Sequence, residues 1–330
     1  MRTRGLRALL VWGGLAVSAV FAYVAVRDVD FDAFWSALVG SAYGWLVPAL
    51  AVLGVAVALR ALRWRLLFAV GSRPPFPAVA NALLVGYLFN NILPVRAGEA
   101  ARVVALHQLA GTSRVEALAT AVSERVFDIL SLLLILLVSL PFLPEVTWLR
   151  GAAVLALLVG VLALALIVVL ARWEERPARR LLRPLSRLPG ITPARTESAA
   201  VSLVRGLAAF RHPRLALQAF VVTTLSWFAL ALSGWIVMFC FDLDLGFDAA
   251  LLVVVATNLA MLLPSSPAAI GVFEAATRVA LGGYGIDESS ALSYAVVLHA
   301  VNFLPYILVG FLVLQRHAAA VRRGDLLPSR

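Results

Sequence analysis

The sequence contains no lysine: all 28 of its basic residues are arginine. It has a single cysteine, Cys240, inside an apolar run, which excludes a disulfide framework and a cysteine-based metal site. Charge is scarce as well, at 14% of residues against roughly 25% in an average soluble domain. Apolar side chains fill the gap, with 62% of residues hydrophobic and a mean hydropathy of +0.95. A water-soluble fold of 330 residues has no interior large enough to hold that much apolar surface. The composition therefore specifies an integral membrane protein, all-α and polytopic. The arginines lie in short stretches between apolar runs rather than on a polar face, so they are not a nucleic-acid footprint. They read instead as GC-rich bacterial coding bias.

Nucleotide and hydrolase motifs are missing too. No G-x-S-x-G, P-loop or G-x-G-x-x-G occurs, and no His, Asp or Glu residues fall at metal-ligand spacing. No catalytic set, cofactor or metal is expected. His107, His212 and His317 read as interfacial, and Trp35, Trp45, Trp64, Trp148, Trp173 and Trp227 as anchors at span ends.

Long uncharged runs dominate what is present. Ala8–Val26 follows Arg2, Arg4 and Arg7; it is long for a signal peptide, lacks a small-x-small cleavage site, and reads as a retained first span. Ala33–Leu59 is expected to cross a ~30 Å core, followed by a loop holding Arg60, Arg63, Arg65 and Arg73. Glu124, Arg125 and Asp128 open a helix reaching about Leu140, and Gly151–Ala171, Leu215–Phe241 and Ser289–Gln315 complete six full spans. Residues 172–214, with ten arginines and punctuated by Pro177, Pro184, Pro189 and Pro193, read as a basic cytoplasmic connector carrying a short surface helix in ARRLLRPLSRL, not as a second domain.

Two further apolar runs are broken, and they resemble each other. In Asn90–Leu106, NNILPVRAGEAARVVAL, Pro94 leads to Gly98, Glu99 and Arg102. In Asn258–Leu281, NLAMLLPSSPAAIGVFEAATRVAL, Pro264 and Pro267 lead to Gly271, Glu274 and Arg278. Downstream, Arg125 answers to His299 and Asp128 to Asn302 at nearly the same offset. Broken apolar segments in corresponding halves of a chain mark the binding region of many transporters. Both are expected to be re-entrant helical hairpins, in repeats covering about 74–140 and 249–315.

Charge orients them. The segments 1–7, 60–77, 172–214 and 316–330 hold 21 of the 28 arginines. The segments 27–32, 141–150, 242–248 and 284–288 hold only Arg27 and Arg150, with nine acidic residues. With both termini in the cytoplasm every loop obeys the positive-inside rule, provided each broken segment returns to the side it came from. The first hairpin then dips in from the cytoplasm and the second from outside, an inverted repeat. A full crossing by Pro74–Val95 would instead put Arg96, Arg102 and Arg114 outside.

Ionisable groups inside such segments are costly and are functional candidates. They are Arg96, Glu99, Arg102, Glu124, Arg125, Asp128, Glu274, Arg278 and His299, with Asn302 one turn beyond His299. Glu99 with Arg102, and Glu274 with Arg278, are spaced for ion pairs along one helix face; Glu124 and Asp128 share a face. Arg96 and Arg102 beside the break at Pro94 and Gly98 suit bidentate phosphate binding. The helix starts near Gly98 and Gly271 are expected to add free N–H groups that attract an anion.

At these residues the chain resembles the lysylphosphatidylglycerol synthase transmembrane region, or flippase-like domain family. The matching patterns are N-x-x-L-P-x-R-x-G-E-x-x-R at Asn90–Arg102, E-R-x-x-D at Glu124–Asp128 and L-P-x-S-P-x-x-I-G-x-x-E at Leu263–Glu274. One departure is Ala268-Ala269, where the family usually has glycine after the proline. The resemblance implies a multi-pass protein of the bacterial inner membrane. In the multiple peptide resistance factors of that family this region moves aminoacylated phosphatidylglycerol across that membrane, whereas relatives without the enzyme domain have varied or unassigned substrates. It implies a lipid partner with an anionic headgroup, and leaves room for a lipid-modifying enzyme partner or a homo-oligomer. The synthase reaction itself is not expected from a chain ending at Arg330. The alternative reading is an intramembrane enzyme, or glycosyltransferase accessory, acting on lipid-linked substrates with Glu99 or Asp128 as base. A third reading is a structural membrane partner without transport of its own.

Overall fold

A computed structural model describes residues 15–93, 97–144, 192–261 and 266–322, with scattered positions between 151 and 184. Among the described residues the fold is entirely helical. In chain order the helices are α1 (Leu15–Val26), α2 (Phe31–Gly40), α3 (Leu46–Leu67), α4 (Phe76–Ile92), α5 (Gly98–Ala110) and α6 (Arg114–Ser139). They continue with α7 (Pro193–Gly206), α8 (Pro213–Met238), α9 (Phe247–Ala260), α10 (Val272–Gly282) and α11 (Glu288–Arg322). Among the described residues four stretches are long and apolar enough to cross a bilayer: Tyr43–Leu67, Arg114–Phe142, Pro213–Phe241 and Glu288–His317. Of the other two expected spans, the first is described only from Leu15, and most of Gly151–Ala171 lies outside the described residues. So does most of the basic connector before Thr192.

Two boundaries differ from the sequence reading. Ala33–Leu59 is not one span, because the chain turns between α2 and α3 at Ser41–Trp45. Gly40 and Gly44 punctuate that turn, and Pro48 sits in the first turn of α3, where a missing N–H costs nothing. The span therefore starts later and runs on to Leu67, so Arg60 and Arg63 lie within it and not in a loop. Likewise α6 starts at Arg114, not at Glu124. Ser113 caps it by accepting from the Glu116 N–H at 3.4 Å, in an S-x-x-E pattern.

The molecule has a basic end and an acidic end. At the acidic end the Ala42 N–H donates to the Cys240 carbonyl (2.9 Å), the Asp30 N–H to Ser289 Oγ (3.1 Å) and the Tyr284 hydroxyl to Asp248 (2.7 Å). Several acidic loop residues cap helices: Asp30 accepts from the N–H groups of Asp32 and Ala33, and Asp287 from those of Ser289 and Ser290. Those amides hold the Asp287 carboxyl below the usual range. At the basic end the Ser72 hydroxyl donates to Glu116 (2.6 Å), and Gly206 of α7 packs on the backbone of α6 at Glu116 and Thr120.

These ties fix the hairpins. Ser72 precedes α4 and Glu116 follows α5, so the α4–α5 hairpin opens at the basic end. Asp248 lies at the start of α9 and Tyr284 follows α10, so the α9–α10 hairpin opens at the acidic end. The two are inverted with respect to each other, as the charge pattern requires, and α4 packs against the Pro267–Ala269 turn where the second hairpin breaks.

Close approach within the first hairpin depends on glycine. A Cβ on Gly98 would overlap the Gly86 carbonyl and lie 2.5 Å from Asn90 Oδ1; a Cβ on Gly86 would lie 2.8 Å from Arg102 Cβ. Gly98→Ala is expected to lower stability by roughly 3 kcal/mol through this backbone overlap, seen as a lower unfolding midpoint in detergent; an unchanged midpoint would show the helices are not in contact. In the second hairpin Ala268 and Ala269 both take φ of 58°, a left-handed conformation that strains any residue with a Cβ. Ala268→Gly is expected to raise stability by up to about 1 kcal/mol once glycine's unfolded-state entropy is set against the relief, and a fall in the midpoint would contradict that conformation.

Candidate functional site

Three helices bring six charged side chains into one closed ring. Arg63 on α3 donates from Nη2 to Glu124 Oε1 (2.9 Å) and from Nη1 to Asp128 Oδ1, both on α6. Arg102 on α5 pairs with Glu124 Oε2 and with Glu99 Oε2, each at 2.5 Å. Arg125 on α6 closes the circuit, with Nη2 2.7 Å from Glu99 Oε1 and Nη1 3.5 Å from Asp128 Oδ2. Each arginine touches two carboxylates and each carboxylate two arginines. Formal charge around the ring is zero, the condition under which ions tolerate a low-dielectric interior.

Local sequence explains how the ring forms. Glu124 and Asp128 lie four apart on α6 and present both carboxylates to Arg63; Glu99 and Arg102 lie three apart at the start of α5. Trp64, next to Arg63 and fully buried, carries the Arg102 guanidinium over its ring at 4.6 Å and donates Nε1–H to Thr120 Oγ1 (3.0 Å). Trp64 and Trp227 are thus buried platforms rather than the interfacial anchors expected; Trp35 and Trp45 are exposed at the acidic end, and Trp148 and Trp173 lie outside the described residues.

The ring is sealed on one side and open on the other. The side chains of Arg63, Arg102 and Glu124 are 4%, 5% and 0% exposed, whereas those of Glu99 and Arg125 are 33% and 55% exposed. Its hydrogen bonding is incomplete: the buried Nε–H groups of Arg63 and Arg102 find no acceptor, and Arg102 meets both of its carboxylates without hydrogen-bond alignment at Nη2 and Oε2. Beside it, α4, α5 and α11 enclose a crevice of about 340 Å³, lined by Val85, Phe89, Val104 and Val313 and bearing Gln108 and His317.

The second half holds a smaller version of the contact. Glu274, in the first turn of α10, meets Nδ1 of His299 on α11, as Glu99 in the first turn of α5 meets Arg125 on α6. Both partners, Arg125 and His299, lie eleven residues into their long helices. His299 is packed between Phe273 and Phe303, with ring centroids at 4.9 and 4.2 Å. Asn302 is one turn further on, its Oδ1 buried without a donor.

Three expectations are corrected. Glu274 does not pair with Arg278: its other oxygen accepts the Gly271 N–H at 2.7 Å, and Arg278 turns to Glu288 and to the Val24 carbonyl (2.7 Å) at the acidic end. A carboxylate that caps its own helix cannot also reach four residues on. The hairpin starts are not bare either, for Asn90 Oδ1 takes the Gly98 N–H (2.9 Å) and Ser18 Oγ the Ser266 N–H (2.7 Å). Arg102 is already paired with two carboxylates rather than standing bare for an anion, and Arg96, Pro94 and Pro264 lie outside the described residues. Arg63 was missed because its span was ended too early. Among the described residues no three His, Cys, Asp or Glu side chains converge to hold a metal ion.

Comparison with known proteins agrees with this architecture. The family model described as the lysylphosphatidylglycerol synthase TM region matches residues 11–310. A UPF0104 membrane protein of Methanothermobacter thermautotrophicus is 25% identical over 278 residues, which cover 78% of this chain and 80% of that protein.

The ring predicts unequal costs at its two sides. Glu124→Gln, which strips a buried carboxylate from two arginines at once, is expected to cost about 3–5 kcal/mol. Arg125→Gln at the exposed side should cost less than ~1 kcal/mol. Unfolding midpoints of the two purified variants check this; equal losses would mean the ring is not sealed as described.

Proposed function

Because the chain belongs to the lysylphosphatidylglycerol synthase transmembrane-region family, we propose that this multi-pass membrane protein is a flippase-like lipid transporter. Its substrate in this reading is a phospholipid, or related lipid-linked molecule, with an anionic or aminoacylated headgroup. The membrane is the bacterial inner membrane, with the basic end and both termini in the cytoplasm.

One observation carries the reading: a neutral ring of ion pairs inside the helix bundle joins the α4–α5 hairpin to two frame helices and is open at its Glu99–Arg125 side. A headgroup with both a phosphate and an ammonium can substitute for that pair. The phosphate takes Arg125 and Arg102 in place of Glu99, and the ammonium takes the released carboxylate. The charge count stays at zero, so ring opening carries little of the penalty of exposing a lone ion to hydrocarbon. The unfilled Nε–H groups of Arg63 and Arg102 supply further donors to the phosphate. The acyl chains stay in the bilayer, and the apolar crevice between α4, α5 and α11 suits one of them. Movement of the oppositely inserted hairpins against the frame would then present the headgroup to each side in turn.

The enzyme alternative has less to stand on. Its one acid–base pair in the second half, His299–Glu274, is flanked by Phe273 and Phe303 instead of a nucleophile.

Headgroup accessibility in proteoliposomes tests the proposal. Wild type is expected to move aminoacylated or anionic phospholipid between leaflets, Arg102→Ala to slow it at least tenfold, and Arg102→Lys to retain part of the rate. Equal movement by wild type and Arg102→Ala would count against the ring as the transport element.

A further inference from the structure

Among the described residues Arg60 and Arg65 of α3 stand outside every ion pair, and Arg65, at the end of the helix, donates to the Pro74 carbonyl at 3.0 Å. Arg63, Arg102 and Arg125 are neutralised in the ring, Arg278 pairs with Glu288, and Glu274 meets His299. Arg60, one turn before Arg63 on α3 and half-buried, has no carboxylate among the described residues within ion-pair distance. Asp128 acts on it only through space and is already held by Arg63 and Arg125.

Instead Arg60 is surrounded by aromatic groups from three other helices. Its guanidinium lies over the Trp227 ring of α8 at 4.7 Å and donates from Nη1 to the Tyr87 hydroxyl of α4 at 3.4 Å. Tyr87 stacks against Tyr306 of α11, with ring centroids 4.7 Å apart. Cation–π contact offsets part of the charge but supplies no counter-ion. One turn deeper on α4 is Asn91, whose buried Nδ2 has no acceptor; one turn deeper on α11 is Asn302, whose buried Oδ1 has no donor. Between Asn302 and Tyr306, Pro305 removes a helical N–H and frees the carbonyl one turn back. An unpaired cation, with unfilled amide groups one turn along the helices that carry its tyrosines, is a costly arrangement inside a membrane protein that a ligand would relieve.

We propose that Arg60, with Tyr87, Tyr306 and the amides of Asn91 and Asn302, binds a singly charged phosphodiester, the phosphate of a lipid headgroup. This rests on the transport reading and assigns that substrate a resting place. One negative charge would match the uncompensated charge of Arg60 next to a neutral ring. The guanidinium would give two parallel donors to the phosphate, and the Tyr87 hydroxyl and Asn91 amide would complete its shell. The site lies one turn deeper than the ring on α3, and Asn302 continues it on α11 toward the His299–Glu274 pair. A headgroup admitted at the Glu99–Arg125 side would therefore meet Arg60 next.

The test uses the full chain in detergent, with phosphatidylglycerol, phosphatidylcholine and inorganic phosphate as separate probes, read by unfolding midpoint and by direct binding. Wild type is expected to bind phosphatidylglycerol at least tenfold more tightly than phosphatidylcholine, to lose that preference in Arg60→Gln and to keep part of it in Arg60→Lys. Without lipid, Arg60→Gln should unfold at the same temperature as wild type or higher, because an unpaired buried cation has been removed. A lower lipid-free midpoint with unchanged phosphatidylglycerol preference would make Arg60 structural and overturn the proposal. Stabilisation by inorganic phosphate equal to that by lipid would overturn the lipid assignment. The transport reading fails separately, if wild-type proteoliposomes that bind phosphatidylglycerol do not move it between leaflets.

Discussion

Charge neutrality within a low-dielectric interior is the constraint on which this structure depends. Isolated ions there cost several kcal/mol each, so Arg63, Arg102 and Arg125 persist only because Glu99, Glu124 and Asp128 stand between them. The helices follow from that need. α3 and α6 cross with their charged faces together, and α5 must stop short of a full span to deliver Glu99 and Arg102 to the same level. Gly86 and Gly98 then allow α4 to lie tightly against α5, so the short hairpin is held by backbone contact on one side and by ions on the other.

The second half solves a similar problem with less charge. Glu274 divides itself between the Gly271 N–H and His299, and Arg278 is drawn away to the acidic end by Glu288. The first half is thus rich in exchangeable pairs, while the second offers one imidazole–carboxylate contact and amide groups. In the proposed function the headgroup would meet strong, reversible ion pairing on the basic side and weaker polar contacts beyond. Arg60, between the two, is an arginine within a span that has no carboxylate partner among the described residues and rests on aromatic groups instead.

Much of this was legible before any coordinates. The E-R-x-x-D spacing at Glu124–Asp128 fixes two carboxylates on one helix face, and the i, i+3 spacing of Glu99 and Arg102 gives the ring its second link. The inverted hairpins were readable from their proline breaks and from arginine counts in the loops. Arg60 and Arg63 were hidden because an apolar run was closed by length from Ala33, and the Gly40–Gly44 turn that resets the span is a weak local signal. Trp64 was misplaced for the same reason, since tryptophan next to arginine looks interfacial in one dimension; Trp227 lies mid-span, and here each is a platform beneath a guanidinium. Which partner Glu274 would choose could not be read from spacing, since its own helix start competes for the carboxylate.

The central claim is that hairpin and frame share one ionic circuit, and a double-mutant cycle on Arg102 and Glu124 tests it most directly. If the circuit exists, Arg102→Met and Glu124→Gln are each costly alone, and together cost less than their sum by about 1–3 kcal/mol in unfolding free energy. Strictly additive losses would mean the two side chains do not meet, and the ring with its transport role would have to be abandoned.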